Sequence, residues 1–244
     1  MIHIFGDSWG YSYKCAVRDE FDGVDLAGYL SNRIQTTVIN HCERGLSNFT
    51  ILNNLHSKLK ELSSDDIVIV LQTDPLRNVF VPWHRNKSQK IDDNQLTLDT
   101  TMDMAQIYHY LLINHYTKLK ELNNQTNAKI ILHGGCSKLN TQLAEEFNLI
   151  YTKKSSTEIL VPDYQDCYYF DDTYIAWVVR FLTKNNKNYK DVPSVVLEII
   201  AQTQKKMRVW QEHDDLFTRH HTTPQGTNIV ADYLADFLKA RLYI

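Results

Sequence analysis

Short apolar runs alternate along the chain with longer stretches in which apolar residues recur every three or four positions. Strands are expected at Ile2–Phe5, Thr37–Asn40, Ile67–Leu71 and Lys129–His133. The run Ile67-Val68-Ile69-Val70-Leu71 is apolar at every position, the pattern of a central parallel strand covered on both faces. Helical spacing appears in Val24–Ile34, through Leu26, Tyr29, Leu30 and Ile34. It appears again in Asn48–Leu62, through Ile51, Leu52, Leu55, Leu59 and Leu62, behind Ser47 as an N-cap. Thr100–Leu122 is a long helical pattern that includes Met104, Ile107, Tyr108, Leu111 and His115. Pro224–Leu242 is the last helix, opened by Thr223 as N-cap and Pro224 at the first helical position.

Strand–helix–strand alternation of this kind predicts an α/β fold with a doubly wound parallel sheet. Right-handed crossovers put helices on both faces. Residues 77–98 are polar and irregular, with Trp83, His84 and Arg85 among them, and read as a long loop over the strand ends. Residues 149–193 read as an insertion within a single domain spanning 1–244. There Asp163–Asp172 mixes acids with Tyr164, Cys167, Tyr168, Tyr169 and Phe170. Tyr174–Leu182 and Ser194–Trp210 carry further helical patterns, and Asn185–Asp191 is a polar break.

Composition changes this picture little. A chain of 244 residues with 43% hydrophobic and 23% charged content is ordinary for one globular domain. The formal charge of −3 gives no basic field, so no nucleic-acid partner is expected. Cys15, Cys42, Cys136 and Cys167 form no CxxC pair, which argues against a zinc knuckle or redox motif and for buried free thiols. No run approaches the ~18 apolar residues of a membrane span. Met1 leads directly into a strand pattern without a basic n-region or apolar h-region, so the expected place is the cytoplasm, with packing into a larger particle such as a virion as the alternative.

Four short blocks carry the candidate chemistry. Gly6-Asp7-Ser8-Trp9-Gly10 puts a serine hydroxyl at the C-terminal end of the first strand, the edge where ligands bind in an open α/β sheet. A serine needs a base within reach to act as a nucleophile. Arg44-Gly45-Leu46-Ser47-Asn48 follows the second strand, and Gly45 lets a backbone N–H approach a developing oxyanion. Gln72-Thr73-Asp74-Pro75-Leu76-Arg77 follows the third strand. Gln72 and Thr73 are candidate donors to a substrate oxygen, and Asp74 is either a substrate-side group or a loop brace paired with Arg77. His220-His221-Thr222-Thr223-Pro224-Gln225-Gly226 precedes the last helix and supplies the base. Taken alone, Ser8 also fits a strand-to-turn serine without catalytic duty, and Gly45 a tight turn before a capped helix.

In this order the blocks resemble the SGNH (GDSL-type) serine hydrolase family. The resemblance implies a three-layer α/β/α sandwich of flavodoxin-like topology and ester hydrolysis without metal or cofactor. Ser8 matches the family's nucleophile, Gly45 its oxyanion glycine, and His221 its catalytic histidine, because His-x-x-x-x-Gly leads to Gly226. His220 lies one residue too far from Gly226. Two positions depart from the family pattern. Thr73 stands where the third block usually has an oxyanion asparagine, and loss of one such donor costs about 3 kcal/mol in the barrier. Thr218 stands where an aspartate usually lies three residues before the histidine. Asp215 is the candidate third member, Asp214 is a second, and a backbone carbonyl would leave a Ser–His dyad.

The expected activity is cleavage of an acetyl or other short acyl ester, on a small molecule or a carbohydrate. Two alternatives stay open: a non-catalytic module of the same fold with protein partners in a larger assembly, and an O-acyltransferase. The Gly-Asp-Ser-Trp-Gly start and the Thr-Asp-Pro-x-Arg block also resemble a branch of the family associated with bacteriophage proteins.

Overall fold

A computed structural model describes residues 1–10, 24–43, 45–75, 104–162, 201, 211–218, 221–241 and 243–244. Five parallel strands form the main sheet: β1 (Ile2–Phe5), β2 (Val38–Asn40), β3 (Ile67–Gln72), β4 (Lys129–Gly134) and β5 (Ile150–Tyr151). Their spatial order is β2-β1-β3-β4-β5, the flavodoxin-like doubly wound order. A separate antiparallel pair joins β6 (Phe217–Thr218) to β7 (His221–Thr222). Helices among the described residues include α1 (Leu26–Ile34), α2 (Asn48–Lys58), α3 (Met104–Asn123), α4 (Thr141–Glu146), α5 (Ser156–Leu160) and α6 (Pro224–Ala240).

The two-residue period of the strands sorts the core into two layers. Ile67, Ile69 and Leu71 of β3 join Ile2 and Ile4 of β1 in packing on α1 and α6, through Leu26, Leu30, Val230, Leu234 and Leu238. Val68 and Val70 face the other way, with Phe5, onto Ile51, Leu52 and Leu55 of α2 and Leu112, Tyr116 and Leu119 of α3. Burial of each such side chain is worth about 1.5–3 kcal/mol against exposure, so the central strand is the most strongly anchored element. The outcome is a three-layer α/β/α sandwich. Helix α6 is pinned to α1 by its apolar stripe and by Arg33, which pairs with Asp232 and donates to Asn228 Oδ1 at 2.7 Å.

The expected caps are present. Ser47 accepts from the Thr50 N–H and Thr223 from the Gly226 N–H, with Pro224 in the first turn of α6. The segment expected to insert from residue 149 begins as part of the sheet, since Ile150–Tyr151 pairs with β4. Ser156–Leu160 follows, with a complete capping box made by Ser155 and Glu158, and packs against α6. Trp83, His84, Arg85, Tyr174–Leu182 and nearly all of Ser194–Trp210 lie outside the described residues. No described helix is long and apolar enough to cross a membrane.

Burial sets the pH response of this core. His115 on α3 and His133 on β4 are each pushed down to about 3 by burial. Burial also lowers His3 and His41, which share a 3.0 Å ring-nitrogen contact at the β1–β2 edge. Burial works to raise Asp66, but hydrogen bonds from Ser63 and the N-terminal ammonium outweigh it and hold its pKa at about 2. A histidine with a depressed folded pKa takes up its proton on unfolding, so stability is lost as pH falls below the unfolded value of about 6.5. The Asp66 pKa is shifted in the same downward sense, and its contribution is likewise lost in acid, below about 4. Urea unfolding at pH 7, 5.5 and 4 is expected to show falling stability. The slope is expected to be shallower in His115→Phe, whose unfolded chain binds one proton fewer; an unchanged slope would contradict the assignment.

Candidate active site

Because all five strands run parallel, the segments leaving β1, β2, β3 and β4 emerge at one edge. At the end of β1 the chain closes into a 3₁₀ turn, Ser8–Gly10. Asp7 builds this turn. Its Oδ1 accepts from the Trp9 N–H at 3.1 Å and its carbonyl from the Gly10 N–H at 3.1 Å. Ser8 is buried at the head of the turn.

The end of β3 is tied to this turn from behind. The Thr73 hydroxyl donates to Asp7 Oδ2 at 2.8 Å. The Thr73 backbone is clamped by Asn48, the first residue of α2. The Thr73 N–H donates to Asn48 Oδ1 at 2.9 Å, and Asn48 Nδ2 donates to the Thr73 carbonyl at 2.9 Å. Asp7 and Thr73 are 0% exposed and Asn48 1%, so water cannot stand in for any of these bonds. A hydrogen bond to a charged group is worth about 1.5–3 kcal/mol, and a buried oxygen left without its donor costs about as much.

Thr73 therefore differs from its expected role. Its one hydroxyl proton goes to Asp7 and its N–H goes to Asn48, which leaves no donor for a substrate oxyanion. Gln72 differs as well. By the register of β3 its side chain shares the face of Val68 and Val70, and it lies by the Tyr116 hydroxyl of α3, fully buried. Its carbonyl, rather than its side chain, serves the strand ends, accepting from the Gly135 N–H at 2.9 Å. Asp74 is also fully buried and accepts from the Ser137 hydroxyl at 3.2 Å, bracing the ends of β3 and β4. Arg44, Arg77 and His220 lie outside the described residues. Gly45 is exposed at φ +74°, in the left-handed region that favours glycine, with open space around its Cβ position.

His221 arrives from the far end of the chain on β7. This strand packs against the Ser8–Gly10 turn, with Cα atoms of the two segments within 8 Å. The Trp9 and Phe217 rings meet beside it at a centroid distance of 6.2 Å. The β6–β7 pair is held over the start of α6 by the Thr223 N–H, which donates to the Leu216 carbonyl at 3.0 Å. A Cβ on Gly226 would come within 2.5 Å of that same carbonyl oxygen, which is the physical reason for a glycine five residues after His221. Asp215 is exposed. Its link to this region is its carbonyl, which accepts from the Thr223 hydroxyl at 2.7 Å. The structure thus brings Ser8, Thr73 and the His221 segment to one edge and leaves the Asp215 carboxylate at the surface.

No family model matches the chain, and no curated protein matches it. Solved structures similar to it include SGNH- and GDSL-type hydrolases. One is a lipase/acylhydrolase from Enterococcus faecalis, at 12% identity over 98% of this chain and 95% of that one, TM-score 0.43. A second is a putative SGNH hydrolase from Slackia heliotrinireducens, at 12% identity over 96% of each chain, TM-score 0.40. A third is a putative GDSL-like lipase from Parabacteroides merdae, at 13% identity over 100% of this chain and 95% of that one, TM-score 0.43.

The sequence reading did not assign roles to Asp7, Asn48 or Ser137. Asn48 carried a signal, since asparagine is a poor helix former and one placed just inside a helix behind a serine cap suggests a tertiary bond. Ser137 follows Gly134-Gly135 at a strand end, a pattern that marks close backbone approach. Cys42 and Cys136 are buried free thiols, and Cys15 and Cys167 lie outside the described residues. Burial, with Asp7 and Asp25 nearby, pushes the Cys42 thiol well up, so it stays protonated. His133 is also structural. Thr152 donates to the Lys154 carbonyl and so accepts from His133 Nδ1 at 2.7 Å, which leaves Nε2 to accept from Ser156 at 3.0 Å. Among the described residues no group of three His, Cys, Asp or Glu side chains gathers as a metal site.

Gly226→Ala tests the hairpin's seat. In an open helix this change gains up to about 1 kcal/mol. Here the new Cβ meets a backbone oxygen that cannot yield, and a loss of about 1–3 kcal/mol is expected in urea unfolding. A stabilised variant would show that β6–β7 is not held against α6 as described.

Proposed function

We propose that the chain is a serine ester hydrolase of the SGNH type, with Ser8 as nucleophile and His221 as base. One observation carries the reading: the strand bearing His221 packs against the turn headed by Ser8, at the C-terminal edge of the parallel sheet. In this mechanism Ser8 Oγ attacks the acyl carbonyl while the imidazole takes its proton. The N–H groups of Ser8 and Gly45 hold the tetrahedral oxyanion. Collapse expels the alcohol, which receives the proton from His221, and leaves an acyl group on Ser8. Water, deprotonated by the same imidazole, then releases the carboxylic acid and restores the hydroxyl. Asp215 and Asp214 are the candidate third members that would orient the imidazole, with a Ser–His dyad as the alternative.

The substrate class to test first is an acetyl or other short acyl ester on a small alcohol or a carbohydrate. Transfer to a sugar hydroxyl in place of water is the acyltransferase arm, separated by product analysis with a carbohydrate acceptor. A fluorophosphonate probe followed by peptide mass analysis is expected to place one adduct on Ser8. Acetyl-ester turnover is expected to vanish in Ser8→Ala and to fall by about 10²-fold or more in His221→Asn. Folded protein that takes no adduct at Ser8, or a Ser8→Ala variant with full turnover, would falsify the proposal in favour of a non-catalytic module.

A further inference from the structure

We infer that Asn48 and Thr73 are positioning residues for Ser8: Asn48 fixes the Thr73 backbone, the Thr73 hydroxyl fixes the Asp7 carboxylate, and Asp7 fixes the turn that presents the nucleophile. The inference rests on the serine-hydrolase reading and deepens it.

Proton counting leads to it. Thr73 owns one hydroxyl proton, and the hydroxyl donates it in a hydrogen bond to Asp7 Oδ2. An ionised carboxylate only accepts, and the two Asp7 oxygens have one partner each on this path, the Thr73 hydroxyl and the Trp9 N–H. The Trp9 amide belongs to the residue directly after Ser8, so the carboxylate's position is transmitted to the nucleophile through one peptide unit. Asn48 supplies both halves of its amide to the backbone of Thr73 alone, in the manner of a neighbouring strand. If the Thr73 hydroxyl turned toward a substrate oxyanion, a carboxylate oxygen with no exposure would lose this donor. A threonine here therefore acts from behind the nucleophile rather than upon the substrate. The same buried path explains why asparagine appears at the first position of α2, where local propensity does not favour it.

Nucleophiles displaced by about 1 Å lose around 100-fold in rate, so the relay is expected to act on kcat. Thr73→Val removes the hydroxyl at nearly constant shape and is expected to lower kcat by about 10- to 100-fold with KM little changed. Thr73→Ser, which keeps the hydroxyl, is expected to restore most of the rate. Asn48→Asp keeps the acceptor but loses the donor to the Thr73 carbonyl, and is expected to lower kcat in the same sense. The deciding measurement is a cycle with Asp7→Ala, each variant first verified as folded by circular dichroism. With the Asp7 link already broken, Thr73→Val is expected to add little further loss. A full additional loss in that background would mark Thr73 as an oxyanion donor and overturn the relay. So would wild-type kcat in folded Thr73→Val and Asn48→Asp. If folded wild-type protein takes no fluorophosphonate at Ser8, the hydrolase reading itself fails and takes the relay's catalytic role with it.

Discussion

A carboxylate with no solvent access has to be satisfied by fixed donors, and Asp7 is such a group one residue before the candidate nucleophile. Among the described residues its donors include the Trp9 N–H of the turn it closes and the Thr73 hydroxyl at the end of β3. These two bonds make the β1 turn and the β3 end one unit. Asn48 then ties in the start of α2, and Ser137 with Asp74 ties in the end of β4. Four segments that share only the edge of a sheet are thereby held by buried polar bonds whose loss would strand unpaired groups. The site's geometry is a consequence of where these groups cannot be hydrated.

The fold was largely legible because the signals were local. The unbroken apolar run of β3, the capped amphipathic patterns of α2 and α6, and the Pro224 start each state their conformation within a few residues. The sequence reading missed α4, α5, β5 and the β6–β7 pair, all short elements, for a physical reason. Ile150–Tyr151 and His221–Thr222 are two residues long, too short to show a period, and are strands only because a neighbour pairs with them. The pairing of Ile150–Tyr151 with β4, just past residue 149, is likewise a non-local fact.

The candidate site was legible to a different depth. The motif order pointed to the sheet edge where Ser8 and β7 meet. It did not reveal what each polar side chain does there. Thr73, Gln72 and Asp74 are consecutive, yet one faces Asp7, one lies by Tyr116 and one accepts from Ser137. Alternation at a strand end sends neighbouring side chains in opposite directions, so proximity in sequence to the crevice is not proximity in space. Asn48 shows the converse, since it reaches Thr73 across 25 positions of sequence.

In a serine triad the acid both orients the imidazole and stabilises its charged form. In the proposed site the main chain contributes to that orientation. The main chain carrying His221 is fixed by its ladder to Phe217–Thr218, by the Thr223 N–H on the Leu216 carbonyl, and by the Thr223 hydroxyl on the Asp215 carbonyl. Helix α6, anchored on α1 through Arg33, holds that assembly in place. A backbone constrained at this many points determines where the ring begins without help from a carboxylate.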